Sequence, residues 1–184
     1  MTEQTTGIRK VMAKVRRVEK AVTLGVEVAG VALLVIMVVV VSIGVFTRYI
    51  LVDPVPWSDE AARFTLVWSG FLGAAVGVRR GSHYGILMLL NRLPHSARRL
   101  ALGGIALGMA LFMYILIRVG TNLMVMADVQ ISPALDLKMS WVYLAIPLSG
   151  TLMMFYLVLE VIDLFTTGRS TLGSDPTAQH GEVD

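Results

Sequence analysis

Few side chains in this sequence can do chemistry, and the densest group stands in the stretch DPVPWSDEAARF, Asp53 to Phe64. Asp59 and Glu60 are adjacent carboxylates, and Arg63 follows them at i+4 and i+3, spacings at which a helix sets side chains next to each other. Such a group can transfer protons, hold a cation, or pair with charges on a partner. The three histidines, His83, His95 and His180, fall outside the long apolar runs, so axial ligation of a haem inside a helix bundle is not expected. Metal-ligand spacing, a glycine-rich phosphate loop and a nucleophile–base pair are absent, and with no cysteine there is no thiolate chemistry. The reading is a protein that is not an enzyme and carries no cofactor.

The elements that position these residues are apolar. Of 184 residues 55% are hydrophobic, and the mean hydropathy is +0.72, a balance foreign to a soluble domain of this size. Val28 to Thr47 is uncharged for 20 residues, which as a helix covers roughly 30 Å, the thickness of a bilayer core. Phe64 to Val78 is uncharged for 15, and a helix from Ser58 to Arg80 would leave its charged ends in the headgroups. Leu100 to Ile117 and Met139 to Leu159 supply 18 and 21 uncharged residues. The expectation is an all-α integral membrane protein with four transmembrane helices, at about 28–48, 58–80, 98–120 and 139–162.

Lysine and arginine set the orientation. Six stand in the N-terminal segment, five between the second and third spans and one in the tail, against three in the other two connections. The positive-inside rule therefore places both termini in the cytoplasm. A pI near 9.4 is a value shared with nucleic-acid-binding proteins, but the basic residues cluster at membrane boundaries, where they meet anionic lipid, so no nucleic-acid partner is expected. The apolar run after the basic N-terminus is too long for a signal-peptide core, so it is expected to be retained as the first span.

Ile8, Val11, Val15, Val18 and Val22 recur at helical spacing, so residues 1–27 read as a cytoplasmic segment with an amphipathic interfacial helix. Gly81 to Asn91 is uncharged but too short to cross, and reads as a second interfacial helix stopped by Pro94. The transmembrane domain covers 28–165. The tail, 166–184, is small and polar and is expected to be disordered.

Within this frame, Pro54 and Pro56 end the incoming connection, Trp57 sits at headgroup depth, Ser58 caps the second helix, and Asp59 and Glu60 complement its dipole. Arg48 closes the first helix at the same depth, bringing two cations and two acids to one membrane edge, a candidate docking surface. Gly73 and Gly77 form GxxxG on the second helix, as Gly104 and Gly108 do on the third, for contacts within the bundle or with a partner. Arg118 lies within or at the end of the third span, where a charge normally faces protein or water, and Asp59, Glu60 or a partner acid could pair with it. A midplane acid cluster with broken helices, the mark of a transport pathway, is absent.

The stretches RYI closing the first helix, PWSDEAARF opening the second, WSGFLGAAVGVRRGSHYGI beyond it and WVYLAIPLSGTLMMF in the fourth span give the chain a resemblance. From about residue 22 to 164 it is similar to the small membrane subunit of tripartite ATP-independent periplasmic (TRAP) transporters, the DctQ-like family. The resemblance implies a scaffold in the bacterial inner membrane that packs against a large permease subunit. A periplasmic binding protein would deliver an organic acid to that permease, which moves it with sodium. By position, Arg48, Trp57, Glu60, Gly73, His83 and Pro147 are the implied family residues, with Asp59 at a position where the family often has another acid or a small polar residue. A stand-alone homodimeric drug/proton carrier is the alternative, with Glu27 as the nearest membrane acid, and an anchor for a cytosolic enzyme is a third reading.

Overall fold

The computed structural model describes residues 2–80 and 95–167. All regular elements among them are helices: α1 (Thr2–Phe46), α2 (Pro56–Arg79), α3 (His95–Met126), α4 (Met139–Tyr143) and α5 (Ala145–Thr167). Among the described residues four stretches are long and apolar enough to cross a bilayer: Val15–Leu51, Pro56–Arg79, Gly103–Val129 and Met139–Ile162. The chain is a multi-pass membrane protein. The valine-rich first span would be a weak helix in water, but in hydrocarbon its backbone groups have no other donors and acceptors to meet.

The element bounds differ from the expected ones in informative ways. No break marks residue 27, because α1 runs continuously through the basic segment into the span, with no proline or paired glycines to stop it. The third span passes Arg118 and continues to Val129, since Val119 to Ala127 are again uncharged. The second interfacial helix and most of the tail lie outside the described residues.

The chain divides after Val76 into two compact units. In the first, α1 ends in one widened turn of π-helix, Thr47–Leu51, followed by Val52 at φ 56°. A β-branched residue in that left-handed region is unfavourable. It is held there because the Val52 and Asp53 N–H groups both donate to the Thr47 carbonyl. Pro56 then opens α2 at the first helical position, where a missing N–H costs nothing. Ser58 is therefore the third residue of the helix and not its cap: it is buried, and its hydroxyl donates to the Val55 carbonyl at 2.8 Å. A Cβ on Gly44 would stand 2.8 Å from Ser58 Oγ, and one on Gly30 would be 3.9 Å from Leu72 Cβ. These two contacts set the antiparallel register of α1 on α2.

In the second unit α3 and α5 pack antiparallel. A Cβ on Gly120 would lie 2.7 Å from Ile146 Cγ2 and 2.9 Å from Pro147 Cδ, and one on Gly150 would lie 3.0 Å from Ile117 Cγ1. Met113, Ala145, Ser149, Met153 and Tyr156 are buried in this unit. Pro147 also explains why α4 and α5 are separated at Leu144: it has no N–H for the Tyr143 carbonyl, and the hydrogen-bond ladder resumes at Leu148 N to Leu144 O.

Six hydroxyls inside the spans turn back onto their own helices. Ser42 donates to Val38 O, Thr65 to Ala61 O, Ser69 to Leu66 O, Thr121 to Ile117 O, Ser149 to Ala145 O and Thr151 to Pro147 O. Each bond removes a polar group from contact with hydrocarbon, which would otherwise be costly.

The close approach at Gly120 gives a direct prediction. Gly120→Leu should destabilise the purified chain by about 1–3 kcal/mol, the usual scale of overpacking. Gly104→Leu, where a Cβ would meet nothing within 4 Å, should stay within about 0.5 kcal/mol of wild type. Thermal unfolding in mild detergent measures both, and equal melting temperatures would contradict the assignment of the α3–α5 contact to Gly120.

Candidate partner-docking site

At the turn between α1 and α2, Arg48 Nη2 lies 2.8 Å from Asp59 Oδ2. The last turn of α1 carries the cation and the first turn of α2 the acid, an arrangement each helix dipole favours. Arg48, rather than the i+4 residue Arg63, is thus the cation at Asp59. Both side chains are more than half exposed, so the pair contributes at most about 1 kcal/mol, and its effect is to orient the turn. Trp57 beside it is 38% exposed, Glu60 is half-buried and hydrogen-bonded or charge-paired, and Arg63 is exposed. The result is a rim with an indole, a bound cation–acid pair and a further arginine in three helical turns.

The α3–α4 connection carries a second polar cluster that the sequence reading missed. Lys138 Nζ donates to Asp128 Oδ2 at 3.1 Å and to Oδ1 at 3.3 Å, and Ser140 Oγ donates to Oδ1 at 3.0 Å. The intervening segment is a tight hairpin. Ile131 and Lys138 form an antiparallel bridge, Ser132 N donates to Leu137 O, and Met139 N donates to Gln130 O. Buried Ser132 accepts the Leu135 N–H on its hydroxyl, and Asp136 takes a left-handed φ of 55°, which Asp tolerates better than most residues. Around the cluster, Val129, Ile131, Leu137 and Trp141 are exposed. The signal available in the sequence was weak, because Asp128 and Lys138 are ten residues apart and become neighbours only through the hairpin.

The other expected site residues are dispersed. Gly73 lies 14 residues beyond Asp59, about 21 Å along α2, and a Cβ there would meet nothing within 4 Å. Gly77 is half-buried on the same helix, and His83 lies outside the described residues. Arg118 is exposed in mid-α3, and among the described residues of its own unit it forms no ion pair. Pro147 is buried against the Gly120 position, so its part is in packing. Among the described residues no three His, Asp or Glu side chains gather as metal ligands would.

Comparison with known proteins identifies the family. The family model for the DctQ component of tripartite ATP-independent periplasmic transporters matches residues 37–167. The chain is 39% identical over 131 residues to the C4-dicarboxylate TRAP transporter small permease protein DctQ of Rhodobacter capsulatus, covering 70% of this chain and 55% of that one. It is 28% identical over 128 residues to the sialic acid TRAP transporter permease protein SiaT of Haemophilus influenzae, again 70% of this chain but 21% of the relative. The small permease protein SiaQ of Vibrio cholerae is 26% identical over 144 residues, with 75% and 80% covered. The chain thus spans about half the length of the first of these relatives and a fifth of the second. With a model match over more than half of its residues, the chain belongs to the DctQ component of the tripartite ATP-independent periplasmic transporters, a family of membrane transporter parts and not of enzymes.

Proposed function

We propose that this chain is the small scaffold subunit of a sodium-coupled TRAP transporter for organic acids. It packs against the large permease subunit in the bacterial inner membrane, with both termini cytoplasmic. The rim around Trp57, Asp59 and Glu60 helps dock the periplasmic substrate-binding protein. The observation that carries the reading is the lack of acids within the spans. The hydroxyls named above are turned onto their own helices, the central parts of the spans hold no carboxylate, and α1 is unbroken, so a coupling cation would find no acidic ligand along the described spans. Within its own unit the apolar face of α1 is left open: Val28, Val31, Val35, Val38 and Val39 are exposed there, a surface suited to lipid and to another membrane helix.

The lengths of the relatives support a partner. In the Haemophilus influenzae permease protein the stretch similar to this chain is about a fifth of the polypeptide, which leaves a much larger remainder to accompany it. Basic residues at the inner helix ends, Arg16, Arg17 and Lys20 among them, meet lipid headgroups in this arrangement.

Affinity purification of the tagged chain from its native membrane in mild detergent should recover a large polytopic protein in near-equal amount. Recovery of the chain only with copies of itself would replace this reading by the homodimeric carrier. Trp57→Ala and Glu60→Gln should each weaken productive docking of the binding protein by about ten-fold or more, the scale of truncating an interface aromatic or charged group. Membrane abundance of both variants should match wild type, and unchanged transport in both would remove the rim from the docking site.

Orientation can be read from the absence of cysteine. In spheroplasts an impermeant maleimide should label Ala134→Cys and leave Ser174→Cys unlabelled until the membrane is opened. The reverse pattern would invert the topology.

A further inference from the structure

The turn between α1 and α2 holds its backbone in a form that its own sequence resists. In an α-helix each carbonyl takes the N–H four residues on, whereas the Thr47 carbonyl takes those of Val52 and Asp53, five and six residues on. Val52 completes the reversal at φ 56°. Helices that end in the left-handed region usually do so on glycine, because a Cβ, and a branched one above all, crowds the backbone there. The cause lies next door. Pro54 and Pro56 fix their own φ and push Asp53 and Val55 toward extended backbone, so the change of direction falls on Val52. A widened helical turn and a left-handed valine are both local strain of the kind that persists only where the surroundings enforce it.

The enforcement can be read from the contacts. On the α1 side Thr47 Oγ1 donates to Gly44 O at 3.1 Å, and a Cβ on Gly44 would stand 2.8 Å from Ser58 Oγ, so both helices are anchored where the turn begins and ends. What is left to move is 48–55. Across that segment Arg48 Nη2 meets Asp59 Oδ2 at 2.8 Å, a contact between residues 11 apart. The opposing magnitudes are similar. An L-residue in the left-handed helical region is disfavoured roughly five- to thirty-fold. An exposed ion pair supplies up to about five-fold in return. Arg48, Asp53 and Asp59 also place the turn at a wet edge of the membrane, where water can take over the two N–H groups when they leave Thr47. A pair of that strength is enough to tip the turn.

We propose that the turn at 47–53 is a strained two-state element latched by the Arg48–Asp59 pair. Latched, it keeps Val52 left-handed and fixes the course of the chain from α1 to α2. Unlatched, Val52 returns to ordinary backbone, the Thr47 carbonyl gives up both N–H groups, and Arg48 and Asp59 are freed for other charges. Ionic competition for either member of the pair throws the switch. The inference concerns this chain alone and holds whether or not the rim docks a partner.

Hydrogen exchange of the full chain in mild detergent reads the opening at the Val52 and Asp53 amides. Wild type, Asp59→Asn, Val52→Gly and the double variant are compared at one pH. Asp59→Asn should speed exchange at these two amides about three- to five-fold, with the amides of α2 beyond Ser58 and the melting temperature unchanged. Val52→Gly removes the crowding but keeps the turn, so it should slow exchange about five-fold or more, and the double variant should exchange no faster than wild type. Raising salt from about 0.01 M to about 1 M should reproduce the Asp59→Asn effect in wild type and leave Asp59→Asn itself unaltered. The salt comparison needs no substitution, so it decides the matter even where Asp59→Asn lowers the melting temperature. A wild-type rate that salt leaves unchanged, or a well-folded Asp59→Asn chain exchanging at the wild-type rate, removes the latch. Exchange in Val52→Gly as fast as in wild type or faster removes the strain. Either result overturns the inference.

Discussion

The structure depends on one requirement of the bilayer: a polar group within it must find its partner in protein, because hydrocarbon supplies none. This requirement makes a helix of the valine-rich first span and turns its Ser42 hydroxyl onto a backbone carbonyl one turn earlier. It also tells apart residues that look alike in composition. Ser149 is silent because its hydroxyl is bound at 2.6 Å within its own helix, whereas Arg118 is conspicuous because none of the described residues of its own unit pairs with it.

The same requirement assigns work to glycine. Between helices in lipid there is no hydrophobic drive, so closeness of approach supplies the attraction, and the smallest residues mark where it happens. Gly44 against Ser58 and Gly120 against Ile146 and Pro147 are such places. Two ion pairs, Arg48–Asp59 and Asp128–Lys138, sit at the connections and not within the packing. In this chain, then, contact between helices is set by shape and the geometry of the turns by charge.

Much of the architecture was legible from the lengths of uncharged runs, since bilayer thickness converts directly into a residue count. The glycine pairs left the neighbour open. GxxxG at Gly73–Gly77 and Gly104–Gly108 states that a helix can be approached closely but not which neighbour approaches, and the contacts within the described chain fall instead on isolated glycines at 44, 120 and 150. Ser58 looked like a cap because its type suits one, but Pro56 begins the helix two residues earlier and burial takes the hydroxyl. The Asp128–Lys138–Ser140 cluster escaped notice because a hairpin, not a periodic pattern, creates it. Family membership was legible from motif order across the chain, a signal that individual residues do not carry.

The unbroken first helix has a mechanical consequence. Its Val15–Leu51 portion alone would extend roughly 55 Å, well beyond a hydrocarbon core of about 30 Å. With no kink to absorb the excess, the surplus is taken up by tilt or by projection past the headgroups, and Arg16, Arg17 and Lys20 limit how far the rod can be drawn in. Held against α2 at the Gly44–Ser58 contact, a rod of this length lies steeper in a thicker membrane and leans further in a thinner one.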